Sequence, residues 1–205
     1  WSAVLGAAEL SSGDTITGLQ TLPSDADGGA LMVCTRSRTM VLYGSSSADW
    51  RLVNFADNMG AQRWSIQSMG RVLVLDSLGV ATVSQSQSFG NFDRLPLSAR
   101  IQHLLTNRTV LASTTSRAKN CMRLFFSSGD SISVTPIGDM VAFMPISYGK
   151  TVFCTAEALI GSEHRNFFGS DDGYVYEADR GRSFDGQAID AFIKLAFNHI
   201  KSPMG

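Results

Sequence analysis

Carboxylates are the residues of this chain whose types and spacing could do chemistry, and they are densest near its C-terminal end. The stretch NFFGSDDGYVYEADRGRSFDG (Asn166–Gly186) holds five of them: Asp171, Asp172, Glu177, Asp179 and Asp185. Oxygen-rich loops can bind calcium, but this stretch lacks the alternating oxygens and closing bidentate Glu of an EF-type loop. Asp-Asp-Gly between NFF and YVY is typical of a hairpin turn instead. We therefore predict a turn here, with calcium binding at Asp171 and Asp172 as the alternative.

Outside this acidic stretch, the sequence contains only weak matches to known catalytic motifs. Ser116–Lys119 (SRAK) matches S-x-x-K, but the partner motifs of penicillin-binding enzymes are missing from the sequence. No G-x-S-x-G, H-E-x-x-H, P-loop or G-x-G-x-x-G occurs. Two loop carboxylates could hydrolyse a glycoside, but sequence spacing cannot show the approach of about 5–10 Å that such a pair needs. We predict that the chain is not an enzyme and has no catalytic residue, metal site or cofactor.

Cysteine, histidine and tryptophan do not form recognisable sites. The cysteines are Cys34, Cys121 and Cys154, and the histidines are His103, His164 and His199. Their spacing fits neither zinc nor a disulfide framework, so we expect three small buried cysteines. The tryptophans are Trp1, Trp50 and Trp64. They favour core or inter-sheet packing, with a sugar-stacking platform as the alternative.

Composition narrows the class of protein. With 205 residues and 44% hydrophobic content, the chain can bury a sizeable core. Its formal net charge of −1 argues against direct nucleic-acid binding, which normally needs a basic excess. Arg36 with Arg38, and Arg180 with Arg182, are small basic pairs that we interpret as solvated loop tips, with contact to an acidic neighbouring subunit as the alternative. No apolar run predicts a membrane span or a secretory leader. Because the chain begins at Trp1, we expect a segment of a longer polypeptide.

Short apolar or alternating runs recur between turn residues and predict β-hairpins. The predicted strands are Leu31–Thr35, Thr39–Gly44, Trp50–Phe55, Arg71–Leu75, Val80–Ser84, Met122–Phe126, Ser131–Thr135, Val141–Ile146, Arg165–Gly169 and Tyr174–Ala178. Val41, Val80, Ile132 and Val175 are rough equivalents, which gives a loose period near 40–50 residues. Such a period with about four strands per unit is typical of propeller blades.

The fold prediction is therefore all-β: a propeller or incomplete propeller of four-stranded antiparallel blades, with a β-sandwich as the alternative. We expect one all-β domain over 1–205, with blade-like units at 1–58, 59–105, 106–147 and 148–190. Residues 191–205 form an exit strand or a short helix. The pattern AIDAFIKLAFNHI leaves helix and strand open for 189–200, because both put apolar residues on one face.

Several phrases, taken in order, resemble a family of tailed-phage virion structural proteins. They are RLFFSSGD (Arg123–Asp130), MVAFMPI (Met140–Ile146), FFGSDDGYVYEADRGRSFDG (Phe167–Gly186) and FNHIKSP (Phe197–Pro203). LDSLGVATVSQSQSFGNF (Leu75–Phe92) and LSARI (Leu97–Ile101) also suit this family. The resemblance spans about Gly28 to Pro203.

The resemblance implies a β-propeller-containing tail component of the nozzle or tubular type found in short-tailed phages. Such a protein folds in the bacterial host cytoplasm and ends in the virion tail, where it forms rings with copies of itself and contacts other tail proteins. DNA passes through the ring without specific binding, and no membrane or small-molecule substrate is involved. The resemblance carries over no active site. A carbohydrate- or receptor-binding module on the virion is the alternative function.

Overall fold

The recurrent apolar runs fold into antiparallel strands. The computed structural model describes residues 10–22, 30–46, 48–82, 97–138 and 140–189. The first sheet contains, in spatial order, β1 (Ile16–Leu22), β2 (Ala30–Thr35), β3 (Thr39–Tyr43) and β4 (Arg51–Ala56). The second contains β5 (Gln67–Ser68), β6 (Val72–Asp76) and β7 (Gly79–Thr82).

Two larger units follow in the chain. The third sheet contains β8 (Val110–Ser116), β9 (Cys121–Phe126), β10 (Asp130–Ile137) and β11 (Met140–Ser147). The fourth contains β12 (Val152–Ile160), β13 (Glu163–Ser170) and β14 (Val175–Glu177). A small hairpin of β15 (Ser183–Phe184) and β16 (Gln187–Ala188) comes last in the described residues. In every sheet, strands that are adjacent in the chain are also adjacent in space.

Helix is confined to one short segment in the part of the chain that the structure describes. A 3-10 turn at Ala99–Ile101 continues into α1 (Gln102–Leu105). Leu105 of α1 is buried against the second and third sheets. No helix in the described ranges is long and apolar enough to cross a membrane. The predicted helix or strand at 189–200 lies outside the described residues, apart from the exposed Ile189.

The predicted hairpins are present, and Val41, Val80, Ile132 and Val175 each lie in the third strand of their sheet. Three of these side chains are at most 2% exposed, whereas Val175 is 74% exposed, because it lies in the last sheet. The strand pattern did not reveal the first strand of each sheet. Both β1 (ITGLQTL) and β8 (VLASTTS) mix small and hydroxyl-bearing side chains with few large apolar ones. The four unit boundaries stay a prediction.

The core consists of three apolar layers, each between two sheets that follow one another in the chain. The first layer includes Met32, Cys34, Met59, Val72, Val74 and Ala81. The second includes Leu73, Leu75, Val80, Val110, Met122, Leu124, Phe126, Ile132 and Val134. The third includes Ala112, Phe125, Val152 and Phe168.

Strands in the two middle sheets therefore bury both faces. In β6, Val72 and Val74 point to the first layer, while Leu73 points to the second, since successive side chains alternate. In β9, Leu124 belongs to the second layer and Phe125 to the third. A two-sheet sandwich covers each sheet on one face, so this double burial favours the propeller-type arrangement. The predicted all-β class is confirmed, but among the described residues the second and fourth sheets have three strands and not the predicted four.

A strap at 60–65 ties the first sheet to the second. The Ala61 amide donates to the Thr35 carbonyl at 2.9 Å, and the Gln62 amide donates to the Leu75 carbonyl at 2.7 Å. A Cβ at Gly60 would lie 2.1 Å from the Arg36 carbonyl oxygen, so only glycine permits this approach. The fully buried Ser65 hydroxyl donates to the Gln62 carbonyl at 2.8 Å and closes the strap.

Candidate functional site

The acidic stretch forms the turn between β13 and β14, as predicted. Gly173 has φ +83°, a left-handed conformation that glycine adopts without strain. The Asp172 carboxylate accepts hydrogen bonds from the Ser170 hydroxyl and, at 3.1 Å, from the Tyr174 amide. The turn is thus held by its own aspartate, which is the usual role of Asp at such corners.

Lys150 supplies the positive charge beside this turn. Its ammonium contacts the Asp172 carboxylate, lies 4.0 Å from Asp185, and sits 4.7 Å from the centre of the Tyr176 ring. The Tyr176 hydroxyl also donates to Asp172, at 2.7 Å. Hydrogen bonds from Lys150, Ser170 and Tyr176 lower the pKa of Asp172. The hydrogen bond to Asp172 is also the main cause that raises the pKa of Lys150.

Asp179 joins the acidic stretch to the third sheet through a buried arginine. Arg123, in β9, has a side chain only 3% exposed, and its Nη2 lies 2.5 Å from Asp179 Oδ2. Its Nη1 donates to the Tyr148 hydroxyl at 2.9 Å, and Lys119 Nζ lies 3.0 Å from Asp179 Oδ1. Burial would raise the pKa of Asp179, but the hydrogen bonds from Lys119 and Arg123 outweigh it and lower the pKa.

The two glutamates near the acidic stretch pair with arginines at the surface. Glu163 contacts Arg165 at 3.2 Å and Arg180 at 2.9 Å. Glu177 lies 3.6 Å from Arg165 and 3.5 Å from Arg180. Hydrogen bonding and attraction from Arg180, followed by those from Arg165, lower the pKa of Glu163. This exposed network is screened by water and adds little stability by itself.

A groove beside the last sheet collects these groups. We call it the terminal groove: a cavity of about 810 Å³ lined by Tyr148, Lys150, Tyr176, Asp179, Asp185 and Ile189, among others. Its floor carries a series of aromatic contacts, with ring centres 5.0 Å apart for Tyr148–Phe168 and 5.4 Å apart for Phe168–Tyr176. Tyr174, which was expected to pack with them, is 68% exposed.

Asp179, which lines the terminal groove, has a lowered pKa, the opposite of the shift that a proton donor for glycoside hydrolysis needs. A general acid needs a carboxyl group whose pKa is raised. Every carboxyl group of the described residues with a resolved shift has a lowered pKa, including Asp172, Asp179 and Glu163. Among these residues, no group of three or more His, Cys, Asp or Glu could hold a metal ion. The arrangement serves to fix the hairpin and to join two sheets.

The serine–lysine pattern forms a turn between two strands. Ser116 ends β8 with 1% exposure, and the Lys119 amide donates to its carbonyl at 3.2 Å. The Lys119 ammonium is held by Asp179. The positive charge of Lys119 is therefore used in an ion pair with Asp179.

Two sets of burial predictions need correction. Cys34 and Cys121 are buried as expected, and burial raises the pKa of Cys34 to about 11, but Cys154 is exposed because it lies on the open face of the last sheet. Trp50 and Trp64 are 38% and 61% exposed, so neither is a core residue, and Trp1 lies outside the described residues. Trp64 lies within the strap and has φ +66°, a left-handed backbone conformation.

Arg123 is the residue of this site that the sequence did not reveal. Within CMRLFF it is the one charged residue of the strand, and the sequence does not show where its partner lies. Its burial depends on Asp179, 56 positions later in the chain. A charged residue inside an otherwise continuous apolar strand was the available signal, because such a strand is covered on both faces.

Comparisons with known proteins give the chain no family. No family model matches the sequence, and no curated protein matches it. Among solved structures, the chain is similar to the crystal structure of BBS1N in complex with ARL6DN, soaked with mercury. The identity is 12% and the TM-score is 0.49, over 80% of this chain and 51% of the other. The chain thus spans about half the length of that protein, and so slight a likeness carries no argument. The class is defined by the chain itself, an all-β protein of stacked antiparallel sheets.

Proposed function

We propose that the chain is a structural subunit of a phage or prophage tail, of the nozzle or tubular type. The main support for this proposal is the role of the acidic stretch. Among the described residues it is the only dense group of potentially reactive side chains, and its carboxylates form ion pairs within the fold. Asp172 and Asp179 hold a turn and a sheet-to-sheet contact. A protein whose charged groups stabilise its own frame is suited to building an assembly.

The family-like phrases fall on the parts of the chain that build this frame. RLFFSSGD covers most of β9 and the turn into β10, and it contains Arg123. FFGSDDGYVYEADRGRSFDG covers the end of β13, the turn, β14 and β15, and it contains Asp179. The last phrase, FNHIKSP, lies outside the described residues.

The last sheet presents an outward face, partly apolar and partly charged, that a neighbouring subunit or tail protein would cover. Phe168 and Thr155 are paired across β12 and β13 and face the third sheet. Their neighbours in each strand therefore face away, because side chains alternate. This outer face contains Cys154, Ala156, Phe167, Gly169 and Val175, and the same register places the ion-paired Arg165 and Glu177 beside them. Small and apolar side chains of this kind let a second surface approach closely.

The proposed partners are copies of the same chain in a ring and other tail proteins in the virion. DNA passes without specific binding, in keeping with the net charge of −1. The proposal includes no membrane, cofactor or small-molecule substrate, and it places folding in the bacterial host cytoplasm.

Self-association through the outer face is tested by sedimentation velocity over a range of protein concentrations. The wild-type chain should form oligomers, and Val175→Arg should shift it to monomer, because a charge replaces an exposed apolar contact. Leu78→Arg is the matched control, since Leu78 is 51% exposed in the β6–β7 turn, away from the last sheet. A wild-type chain that stays monomeric, or a Val175→Arg chain that associates like wild type, would count against ring formation.

A carbohydrate- or receptor-binding module remains the second candidate, supported by one observation. The Trp64 indole is 61% exposed, and the Arg63 guanidinium lies 5.7 Å from its ring centre. Exposed indoles are suited to stacking on sugar rings. Reproducible binding on a glycan array that is abolished by Trp64→Ala or Trp50→Ala would promote this candidate.

A further inference from the structure

Two arginines from different segments of the chain line one cleft. We call it the arginine cleft: a cavity of about 400 Å³ lined by Thr15, Thr17, Arg36, Gln62, Arg63, Asp76, Ser77 and Thr109, among others. Arg36 comes from the β2–β3 turn and Arg63 from the strap. Thr109 directly precedes β8, so segments next to three sheets meet here.

The backbone holds Arg36 rigidly. The Thr35 amide donates to the Arg38 carbonyl at 2.9 Å, and the Thr35 hydroxyl donates to the same carbonyl at 3.1 Å. Gly60 lies directly against the Arg36 carbonyl. The base of the side chain is thus fixed while its guanidinium remains exposed.

Arg63 is fixed in a comparable way. The strap that carries it is bonded to both the first and second sheets. The next residue, Trp64, accepts a hydrogen bond from the Ser113 hydroxyl of β8. The Arg63 guanidinium rests against the Trp64 indole at 5.7 Å, which restricts its direction.

The carboxylates near the cleft are occupied by other donors. Asp14 accepts from the Ser37 hydroxyl at 2.9 Å and from the Thr15 amide at 2.6 Å. Asp76 accepts from the Leu78 amide and the Ser77 hydroxyl inside its own turn. Among the described residues, no carboxylate forms an ion pair with Arg36 or Arg63. Both guanidiniums are therefore available to a ligand.

We propose that the arginine cleft binds a tetrahedral oxyanion of the phosphate or sulfate class. Each guanidinium presents a planar fork of donors that matches such an anion. The Thr15 and Thr109 hydroxyls and the Gln62 amide line the same cavity and add neutral donors. Because two arginines line the same cavity, pyrophosphate, with two linked anionic groups, is the probe that can engage both of them. This inference goes beyond the structural role and does not depend on it.

Isothermal titration calorimetry of the whole chain with inorganic pyrophosphate tests the proposal, and inorganic phosphate and sulfate are titrated separately. We expect saturable binding of pyrophosphate, tighter than that of phosphate, since pyrophosphate brings more negative charge to a cavity lined by two arginines. Arg36→Gln and Arg63→Gln should each weaken binding about tenfold or more, the usual cost of losing a charge-assisted pair. Equal affinity for the three anions would mean that the cleft binds one oxyanion group at a time.

Arg100→Gln is the matched control, because Arg100 is also exposed and, in the described residues, has no ion pair. It should leave affinity unchanged. Arg36→Lys and Arg63→Lys keep the charge and lose the fork, so they should weaken binding less than the Gln variants; they answer the question if a Gln variant fails to fold. Absence of saturable heat, or an equal loss in Arg100→Gln, would overturn the proposal.

Discussion

Arg123 and Asp179 form a guanidinium–carboxylate contact of 2.5 Å between the third sheet and the segment that follows the fourth. The arginine is almost completely buried, whereas the aspartate side chain is 23% exposed. Through this contact the acidic stretch helps to hold the third and fourth sheets together. Since the two partners are far apart in the chain, it also fixes how the last sheet packs on the one before it.

Removing the carboxylate should be costly. Asp179→Asn would leave the buried Arg123 charge without its anion, so we expect the free energy of unfolding to fall by roughly 3 kcal/mol. Urea denaturation measures this directly. Asp171→Asn is the control, because Asp171 is exposed on the turn, and its effect should stay within about 0.5 kcal/mol. Equal effects of the two substitutions would contradict the proposed role of the ion pair.

Acid should destabilise the fold through the same carboxylates. The pKa values of Asp172 and Asp179 are lowered in the folded chain, so they bind protons less readily there than in the unfolded chain. Their contribution is fully present above the ordinary carboxyl pKa of about 4 and is lost as pH falls through the folded-state values. The urea concentration at the unfolding midpoint should therefore decrease as the pH is lowered below about 4. The urea midpoint of Asp179→Asn should depend less steeply on pH than that of the wild-type chain. An unchanged pH dependence in this variant would argue that Asp179 does not contribute to acid stability.

Calcium should leave thermal stability unchanged. The Lys150 ammonium already neutralises Asp172, and the carboxylate bonds to its own turn. Melting temperatures are measured with millimolar calcium and with sodium chloride at matched ionic strength. An upward shift of several degrees with calcium alone would favour the metal-loop alternative for Asp171 and Asp172.

Gly60→Ala should be more damaging than Gly70→Ala, although both replace glycine with the same residue. A Cβ at position 60 would meet the Arg36 carbonyl at 2.1 Å, which forces the strap away and costs about 2 kcal/mol or more. Position 70 has φ +71° and open space around it, so only backbone strain of about 1 kcal/mol applies. Differential scanning calorimetry compares the two, and the reverse order would contradict the close approach of the strap.

The hairpins could be predicted because their turns carry local chemistry. Asp76–Gly79 and Ser170–Gly173 join strands whose residues pair directly, so glycine and aspartate marked them without any tertiary information. Strand β1 escaped notice because none of its residues is buried, and β8 because its alternating burial falls mostly on small or hydroxyl-bearing side chains. The Arg123–Asp179 pair and the exposure of Trp64 depend on three-dimensional packing that no local pattern records.

Microscopy of labelled virions tests the central claim most directly: that the chain is a building block of a phage tail. The reading frame encoding the chain is tagged in the phage or induced prophage, and the tag is labelled with gold. We predict gold at the tail, in a ring around its axis. The account would be contradicted if no gold were found on the tail or neck, whether the particles carry the tagged protein elsewhere or lack it.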